Sequence, residues 1–297
     1  MARRSRIGVV TVTFESGQVI SAFMDSLLPQ TLADFTLYVI DNASSDDTLE
    51  QVARYADPRV VVVRNAGNVG VAEGNNIGIR AALKDGCDCI LLLNNDTVFD
   101  ATLLSSLEQG LVEHACDMVV PKINYFSDPQ RIWCAGGYFL MGWSSRHFGV
   151  DQKDDGRFDK PRLVTYSPTC CMLIRRQVFE RIGLMDPKYF VYYDDTDFCY
   201  RAYRQGVKLF YVPSARLLHK VGSLTGASSD FSIRYAIRNH VYYFLKHFPC
   251  WRFVLVPAYL LHLLALSVFS LRRRQAFWLA QKAFWEGISL FYSPAAG

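Results

Sequence analysis

Three carboxylates within four residues, Asp194, Asp195 and Asp197 of "YYDDTDFCYRAYRQG", and a single one, Asp96, closing "CILLLNNDT", are the groups in this chain best suited to chemistry. One acid is enough to cap a helix, and Asp197 has Arg201 four residues on as an ion-pair partner. Three exceed that need. Like charges nearby hold a carboxylate ready to take a proton, so the cluster predicts a general base with supporting groups. Asp96 follows the apolar run from Ile90 to Leu93 and two amides, Asn94 and Asn95. A hard divalent cation is held by one or two carboxylates, with phosphate oxygens and waters completing its shell. Asp96 offers the carboxylate; the amides offer oxygen or hydrogen bonds without charge. His219, at the end of the strand-like "YVPSARLLH", is chemically suited to bind beside Asp96 and a phosphate, although a lone histidine is more often structural.

These groups need elements that bring them together. Near-continuous apolar runs predict strands over 7–13, 36–41, 60–64 and 89–94, of the kind that parallel sheets bury on both faces. Helical periodicity appears over 17–28, over 47–55 and from Leu103 through Leu104 and Leu107 to Leu111. Such alternation predicts an α/β domain with a mainly parallel sheet, whose ligands bind beyond the carboxyl ends of the strands. All four ends are polar: "TVTFE", "IDNASSDD", "RNAGNVGVAEGNN" and "LNNDT". Asp41 suits a base or ribose contact, whereas Ser45 or Asp46 suits the cap of the following helix. Gly67, Gly70 and Gly74 fit neither G-x-G-x-x-G nor a lysine-bearing phosphate loop. They predict a glycine-permitted turn with Asn68, Asn75 or Asn76 facing the ligand.

The chain has 297 residues, 51% of them hydrophobic and 20% charged, which suits one large domain or a domain with an appendage and excludes wholesale disorder. Its eight cysteines lack C-x-x-C spacing and follow no secretory signal, so a zinc ribbon and a disulfide scaffold are excluded and reduced thiols in the cytoplasm are expected. The net charge of +4 is unevenly spread. From 232 to 297, eight Lys and Arg stand against the single acid Glu286, a net of +7 that leaves −3 elsewhere. The nineteen uncharged residues from Phe253 to Leu271 are long enough for a transmembrane candidate. Pro257, His262 and the amphipathic "QAFWLAQKAFWEGISLFY" favour docking at a membrane interface over a span, with an intramolecular helical cap as the third option. Nucleic acid is excluded as a partner, because so apolar a tail is poorly used on phosphates.

Taken in order, "VVTVTF", "YVIDNASSDDT", "RNAGNVGVAEGNNIG", "LLLNNDT", "IWCAGGYF", "CCMLIRRQVFERIGLMDPKYFVYYDDTDFCYRAYRQG" and "YVPSARLLHKVG" resemble the inverting glycosyltransferases of family 2, in their rhamnosyltransferase-like branch, over about residues 7 to 247. The resemblance implies a GT-A type, Rossmann-like mixed sheet flanked by helices over 1–230, followed by a helical membrane-associating region over 231–297. It implies transfer of a sugar, rhamnose from dTDP-rhamnose being the expected case, from a nucleoside diphosphate donor to a lipid-linked or saccharide acceptor. The setting is cell-surface polysaccharide synthesis at the cytoplasmic face of the membrane, with Mg2+ or Mn2+. By position, Thr11 and Thr13 would line the nucleotide pocket and Asp41 would contact the base. Asn68, Asn75 and Asn95 would lie near ribose or phosphate. Asp96 and His219 would hold the metal, and Asp195 would be the base with Asp194 beside it, Asp197 supporting the helix. Trp133, Gly136, Gly137, Cys170 and Cys171 match segments flanking donor sugar and acceptor.

Two departures stand out: Glu15 replaces the family's usual Asn after the first strand, and "NND" has an amide where many relatives have a second acid. A non-catalytic sugar-nucleotide-binding or scaffold subunit is the alternative from another class, and the intact Asp96, Asp195 and His219 argue against it. A nucleotidyltransferase would need a Gly-rich basic loop that "TVTFESGQ" lacks.

Overall fold

Runs of Val, Ile and Leu build the centre of the sheet. The computed structural model describes residues 5–141, 144–221, 229–268 and 271–294, with side chains 264–276 outside the described set. In it β1 (Ile7–Thr13) is followed by α1 (Ile20–Leu27), β2 (Phe35–Asp41), α2 (Thr48–Arg54), β3 (Val60–Arg64), α3 (Gly70–Lys84) and β4 (Cys89–Leu93). The four strands are parallel, in the order β4-β1-β2-β3. Strand side chains alternate between faces. Thus Ile7 and Val9 of β1 pack with Ile20, Phe23 and Val52 of α1 and α2, while Val10 packs with Ile79 and Ala82 of α3.

Two expectations are corrected here. β3 is not buried on both faces: it ends the sheet, and its Val61 and Val62 are exposed. The expected glycine-permitted turn is a helix from Gly70 onward. A Cβ on Gly74 would lie 2.8 Å from Val12 Cγ1, and one on Gly78 would lie 2.3 Å from Val10 Cγ1. The glycines at 74 and 78, one turn apart, therefore serve close packing of α3 on β1 rather than a bend.

The second half follows as β5 (Thr97–Phe99), α4 (Leu103–Glu113), β6 (Met118–Tyr125), β7 (Ile132–Cys134), β8 (Gly137–Leu140), β9 (Ser144–His147), β10 (Arg162–Val164), β11 (Cys171–Arg175), α5 (Arg176–Ile182), α6 (Asp194–Arg204) and β12 (Leu209–His219). β11 enters antiparallel between β4 and β6, and β12 runs parallel to β6. The sheet is therefore mixed, in the order β10-β12-β6-β11-β4-β1-β2-β3. α7 (Asp230–His247), α8 (Arg252–Val268) and α9 (Leu271–Tyr292) complete the chain. Val241 and Leu245 of α7 pack on Ala283 and Phe284 of α9, Arg234 pairs with Glu286 at 2.7 Å, and a Cβ on Gly287 would meet the Arg238 carbonyl oxygen at 2.4 Å. Trp251, Phe253, Trp278 and Trp285 point outward and are exposed. Among the described residues, no helix is long and apolar enough to cross a membrane; positions 269 and 270 of the apolar stretch 253–271 lie outside them.

Candidate active site

The leucines of β4 pack between β1 and β11, so the chain leaves the sheet at Asn94 and delivers Asp96 at its carboxyl edge. Immediately afterwards β5 pairs antiparallel with the end of β12, with Thr97 opposite His219, and the Lys220 backbone N–H donates to the Asp96 carbonyl at 2.9 Å. This ladder brings two residues 123 positions apart in sequence into contact: His219 Nε2 lies 3.2 Å from Asp96 Oδ1. Trp133, on β7, stands edge-on to the His219 ring with centroids 4.5 Å apart. Burial opposes charge on His219, but Cys170 and Asp96 outweigh it and raise the imidazole to about 10. Burial holds Cys170 itself as a neutral thiol, pushed up to about 11. The described residues contain no group of three or more His, Cys, Asp or Glu suited to a metal. One carboxylate and one imidazole on a cavity wall nevertheless fit a hard cation whose other ligands are diphosphate oxygens and water, provided that binding displaces the proton which His219 holds in the metal-free site.

The acids of "YYDDTDFC" occupy the first turn of α6 rather than preceding it. The backbone reaches that turn through Phe190, Tyr192 and Tyr193, all with φ near +60° (63°, 63° and 66°). Asp195 accepts from the Tyr166 hydroxyl at 3.1 Å through Oδ2 and from Thr196 Oγ1 at 3.1 Å through Oδ1. Burial raises its pKa, and hydrogen bonds from Thr196 and Tyr166 together with nearby His147 pull the other way. Asp194 is pushed up to about 8, first by burial and then by the charge of Asp195. The two adjacent carboxyls thus behave as a pair that retains a proton well above the ordinary carboxylate range.

Asp197 is different. It is fully buried, yet Oδ1 takes His247 Nε2 and Lys246 Nζ, each at 2.7 Å, and Oδ2 takes Arg201 Nε at 2.8 Å. Burial alone would raise its pKa, but the His247 hydrogen bond and the charges of Lys246 and Arg201 hold it far below the usual range. It fastens α6 to the end of α7, beyond the helix-start role expected of it.

A cavity of about 640 Å³ joins these groups, lined by Asn75, Asn95, Asp96, Trp133, Cys170, Asp194, Asp195 and His219 among others. Of the remaining expected residues, Thr11 and Thr13 are fully buried on the face of β1 opposite Val12, which lines the cavity. Thr13 donates to Asp41 Oδ1 at 2.9 Å, and the Ser44 hydroxyl donates to the same oxygen at 2.6 Å, so Asp41 is fixed at the end of β2. Asn68 accepts from the Gly70 N–H at 2.9 Å and starts α3; Asn76 exchanges hydrogen bonds with the Met185 backbone. Asn95 donates to the Val12 carbonyl at 2.8 Å, bracing β4 against β1 while still reaching the cavity. Gly136 and Gly137 are not on the cavity wall. A Cβ at either would strike Val164 at 2.8 Å or the Arg146 carbonyl at 2.3 Å. Cys171 faces the core. Glu15 adopts φ 50° and accepts from the Ser45 N–H and hydroxyl, both at 2.9 Å. A left-handed residue is where Asn is favoured, which rationalises the family's usual choice there.

The cavity also uses residues that sequence reasoning passed over: His147 of β9, Tyr166, and Ser232, Ile233 and Ala236 of α7. Tyr166 stands four residues before Cys170 in "YSPTCC", the signal by which it could have been found; His147 carried none.

The family model described as Glycosyl transferase family 2 matches residues 8–183, more than half of the chain. The chain belongs to glycosyl transferase family 2. This family 2 protein is 24% identical over 267 residues to N-acetylglucosaminyl-diphospho-decaprenol L-rhamnosyltransferase of Mycobacterium tuberculosis, covering 82% of this chain and 86% of that one. It is 26% identical over 204 residues to the low-salt glycan biosynthesis hexosyltransferase Agl10 of Haloferax volcanii, covering 68% and 63%. With the dTDP-rhamnosyl transferase RfbF of Shigella flexneri it shares 22% over 193 residues, covering 62% and 59%. It therefore spans less than two thirds of the latter two. Among solved structures, the mannosyltransferase PcManGT from Pyrobaculum calidifontis in complex with GDP-Man and Mn2+ superposes with a TM-score of 0.60 at 17% identity, over 99% of this family 2 chain and 78% of that one. That likeness is one of fold, and it agrees with the expected GT-A type mixed sheet flanked by helices.

Proposed function

We propose that the protein is an inverting glycosyltransferase that moves a sugar from a nucleoside diphosphate donor to an acceptor hydroxyl. The observation that carries this reading is the shared cavity, with the proton-retaining Asp194 and Asp195 on one wall and Asp96 with His219 on another. In the proposed reaction Asp195 accepts the acceptor's proton as its oxygen attacks the anomeric carbon from the face opposite the departing diphosphate. Tyr166 and Thr196 orient the Asp195 carboxylate, and burial keeps its proton affinity high. Asp96 and His219 would hold a divalent cation, Mg2+ or Mn2+, which when bound neutralises charge on the diphosphate. Trp133 flanks the sugar and Asn75 the phosphates.

The donor proposed is dTDP-rhamnose and the acceptor a lipid-linked saccharide of a cell-surface polysaccharide, supported by the names of the relatives from Mycobacterium tuberculosis and Shigella flexneri. The proposed location is the cytoplasmic membrane face, with the catalytic domain over 1–230 and a membrane-associating region over 231–297. The exposed Trp251, Phe253, Trp278 and Trp285 of that region support docking.

The test combines donor-dependent thermal stabilisation with transfer. A donor at 100 times its Kd should stabilise the wild type by about 2.7 kcal/mol in the presence of Mn2+. Asp96→Ala should remove that metal-dependent stabilisation, and Asp195→Asn should keep donor binding while losing transfer by at least about 10²-fold. Transfer at the wild-type rate by Asp195→Asn would remove Asp195 as base, and no stabilisation by any nucleotide sugar would overturn the reading as a whole.

A further inference from the structure

The turn from Tyr189 to Tyr193 aims the acid pair, yet it is built without a glycine. Phe190, Tyr192 and Tyr193 are all left-handed, a conformation that aromatic residues adopt only where their surroundings over-determine it. The surroundings are supplied by α7. Asn239, fully buried, directs Nδ2 at three carbonyls of the turn: Tyr189 at 2.8 Å, Val191 at 2.7 Å and Tyr192 at 2.9 Å. Arg238 Nε donates to Asn239 Oδ1 at 2.8 Å and so fixes which way the amide points. Arg238 Nη2 meanwhile donates to the carbonyls of Lys188 at 2.9 Å and Tyr189 at 2.7 Å. The one intervening carbonyl, Phe190, accepts from the Val71 N–H of α3 at 2.6 Å. An asparagine is a poor helix-interior residue and a costly one to bury, so its satisfaction by the turn is the reason for its presence in α7.

We propose that Asn239, oriented by Arg238, is a positioning residue for the acid pair: its amide holds the carbonyls of 189–192 so that Asp194 and Asp195 start α6 facing the cavity. Only the kinetic part of its test rests on the proposed transfer reaction. The pair is also faced by Tyr166, His147, Tyr193, Asp197, Cys134 and Cys199; the Asp197 N–H donates to the Tyr193 carbonyl at 2.8 Å, but none of these side chains bonds the carbonyls of 189–192. Losing the amide should therefore act on the pair by letting water reach it, which lowers its proton affinity.

The experiment compares full-length Asn239→Leu, which keeps volume but loses the donors, with Tyr242→Phe, which removes one of the two α7 hydrogen bonds to Asp186, that of Lys246 remaining, and takes no donor from the carbonyls of 189–192. Hydrogen exchange at 190–195 should rise at least about tenfold in Asn239→Leu while α7 stays protected. The aspartate carboxyls, followed by 13C labelling, should titrate at lower pH. In transfer assays kcat should fall by about 10²-fold with donor KM little changed, the pattern of a misplaced reacting group. Tyr242→Phe should match the wild type in each. Unchanged exchange and carboxyl titration in Asn239→Leu overturn the proposal, as does the same signature from Tyr242→Phe. Should Asn239→Leu fail to fold, Arg238→Met must give the faster exchange and lowered titration, and their absence overturns it equally. A wild type that transfers no sugar refutes the proposed function, while exchange and titration still decide the role of Asn239.

Discussion

The Tyr166 hydroxyl donates to Oδ2 of Asp195 at 3.1 Å, across the cavity wall from a residue twenty-nine positions away in sequence. A donor aimed at a carboxylate favours the charged form, and here it opposes the burial that raises the pKa of Asp195. Tyr166→Phe removes the donor and keeps the ring. The pH at which transfer reaches half its maximum should therefore move upward, and the rate at neutral pH should fall while the alkaline plateau is recovered. A pH–rate profile checks this, and an unshifted midpoint would separate Tyr166 from the base.

Asp194 gives a stability prediction of unusual sign. Its folded pKa of about 8 lies above the ordinary value for aspartate, so the native state binds this proton more tightly than the unfolded chain does. The group's contribution is greatest in acid and is lost as pH rises from about 4 through the folded pKa. Asp194→Asn cannot ionise. Its melting temperature should exceed that of the wild type near pH 8 and the gap should narrow toward pH 5.

For Asp197 the sign is reversed. Its folded pKa is held far below the unfolded one by His247, Lys246 and Arg201, so its contribution is present above about pH 4 and is lost as the medium becomes more acid. Asp197→Ala leaves these three donors around a vacated buried site and should cost roughly 3–5 kcal/mol at neutral pH. Denaturant unfolding at pH 7 measures the loss, and repeating it at low pH should show the difference from wild type shrinking.

The outward tryptophans of the last helix predict a vesicle-binding phenotype. Trp278→Ser with Trp285→Ser should reduce co-sedimentation with anionic liposomes, and added salt should weaken what remains through screening of the basic side chains. Equal binding by the double variant would dissociate those rings from the membrane.

Much of the sheet was legible because its strands are written as apolar runs: 7–13 and 60–64 match β1 and β3 to the residue, although β3 lies at the exposed edge and its apolar run overstates its burial. The helix after β3 was not, because the first two turns of its buried face are largely Gly70, Gly74, Asn75, Asn76 and Gly78, small or polar residues, with Ile79 and Ala82 following only later. A spacing of four between glycines was the available sign. Asp96, His219, Asp194 and Asp195 could be singled out as charged or ligating groups in apolar surroundings, and they meet at one cavity. The parity of Thr11 and Thr13 against Val12 could not be read without knowing which face of β1 the cavity uses. Tyr166, His147 and the Asn239 contacts depend on where loops and α7 fold back, which no local pattern records.

The notch at Gly287 gives the outer helices a further meaning. With only a hydrogen between α9 and the Arg238 carbonyl, α7 and α9 have no slack, and the next residue of α7 grips the turn that bears Asp194 and Asp195. The span from the exposed aromatic rim to Asp195 is then a fixed length set by packing. Under the membrane docking and sugar transfer we propose, that span would act as a gauge, admitting acceptors by how far their hydroxyl stands above the surface as well as by which sugar they carry.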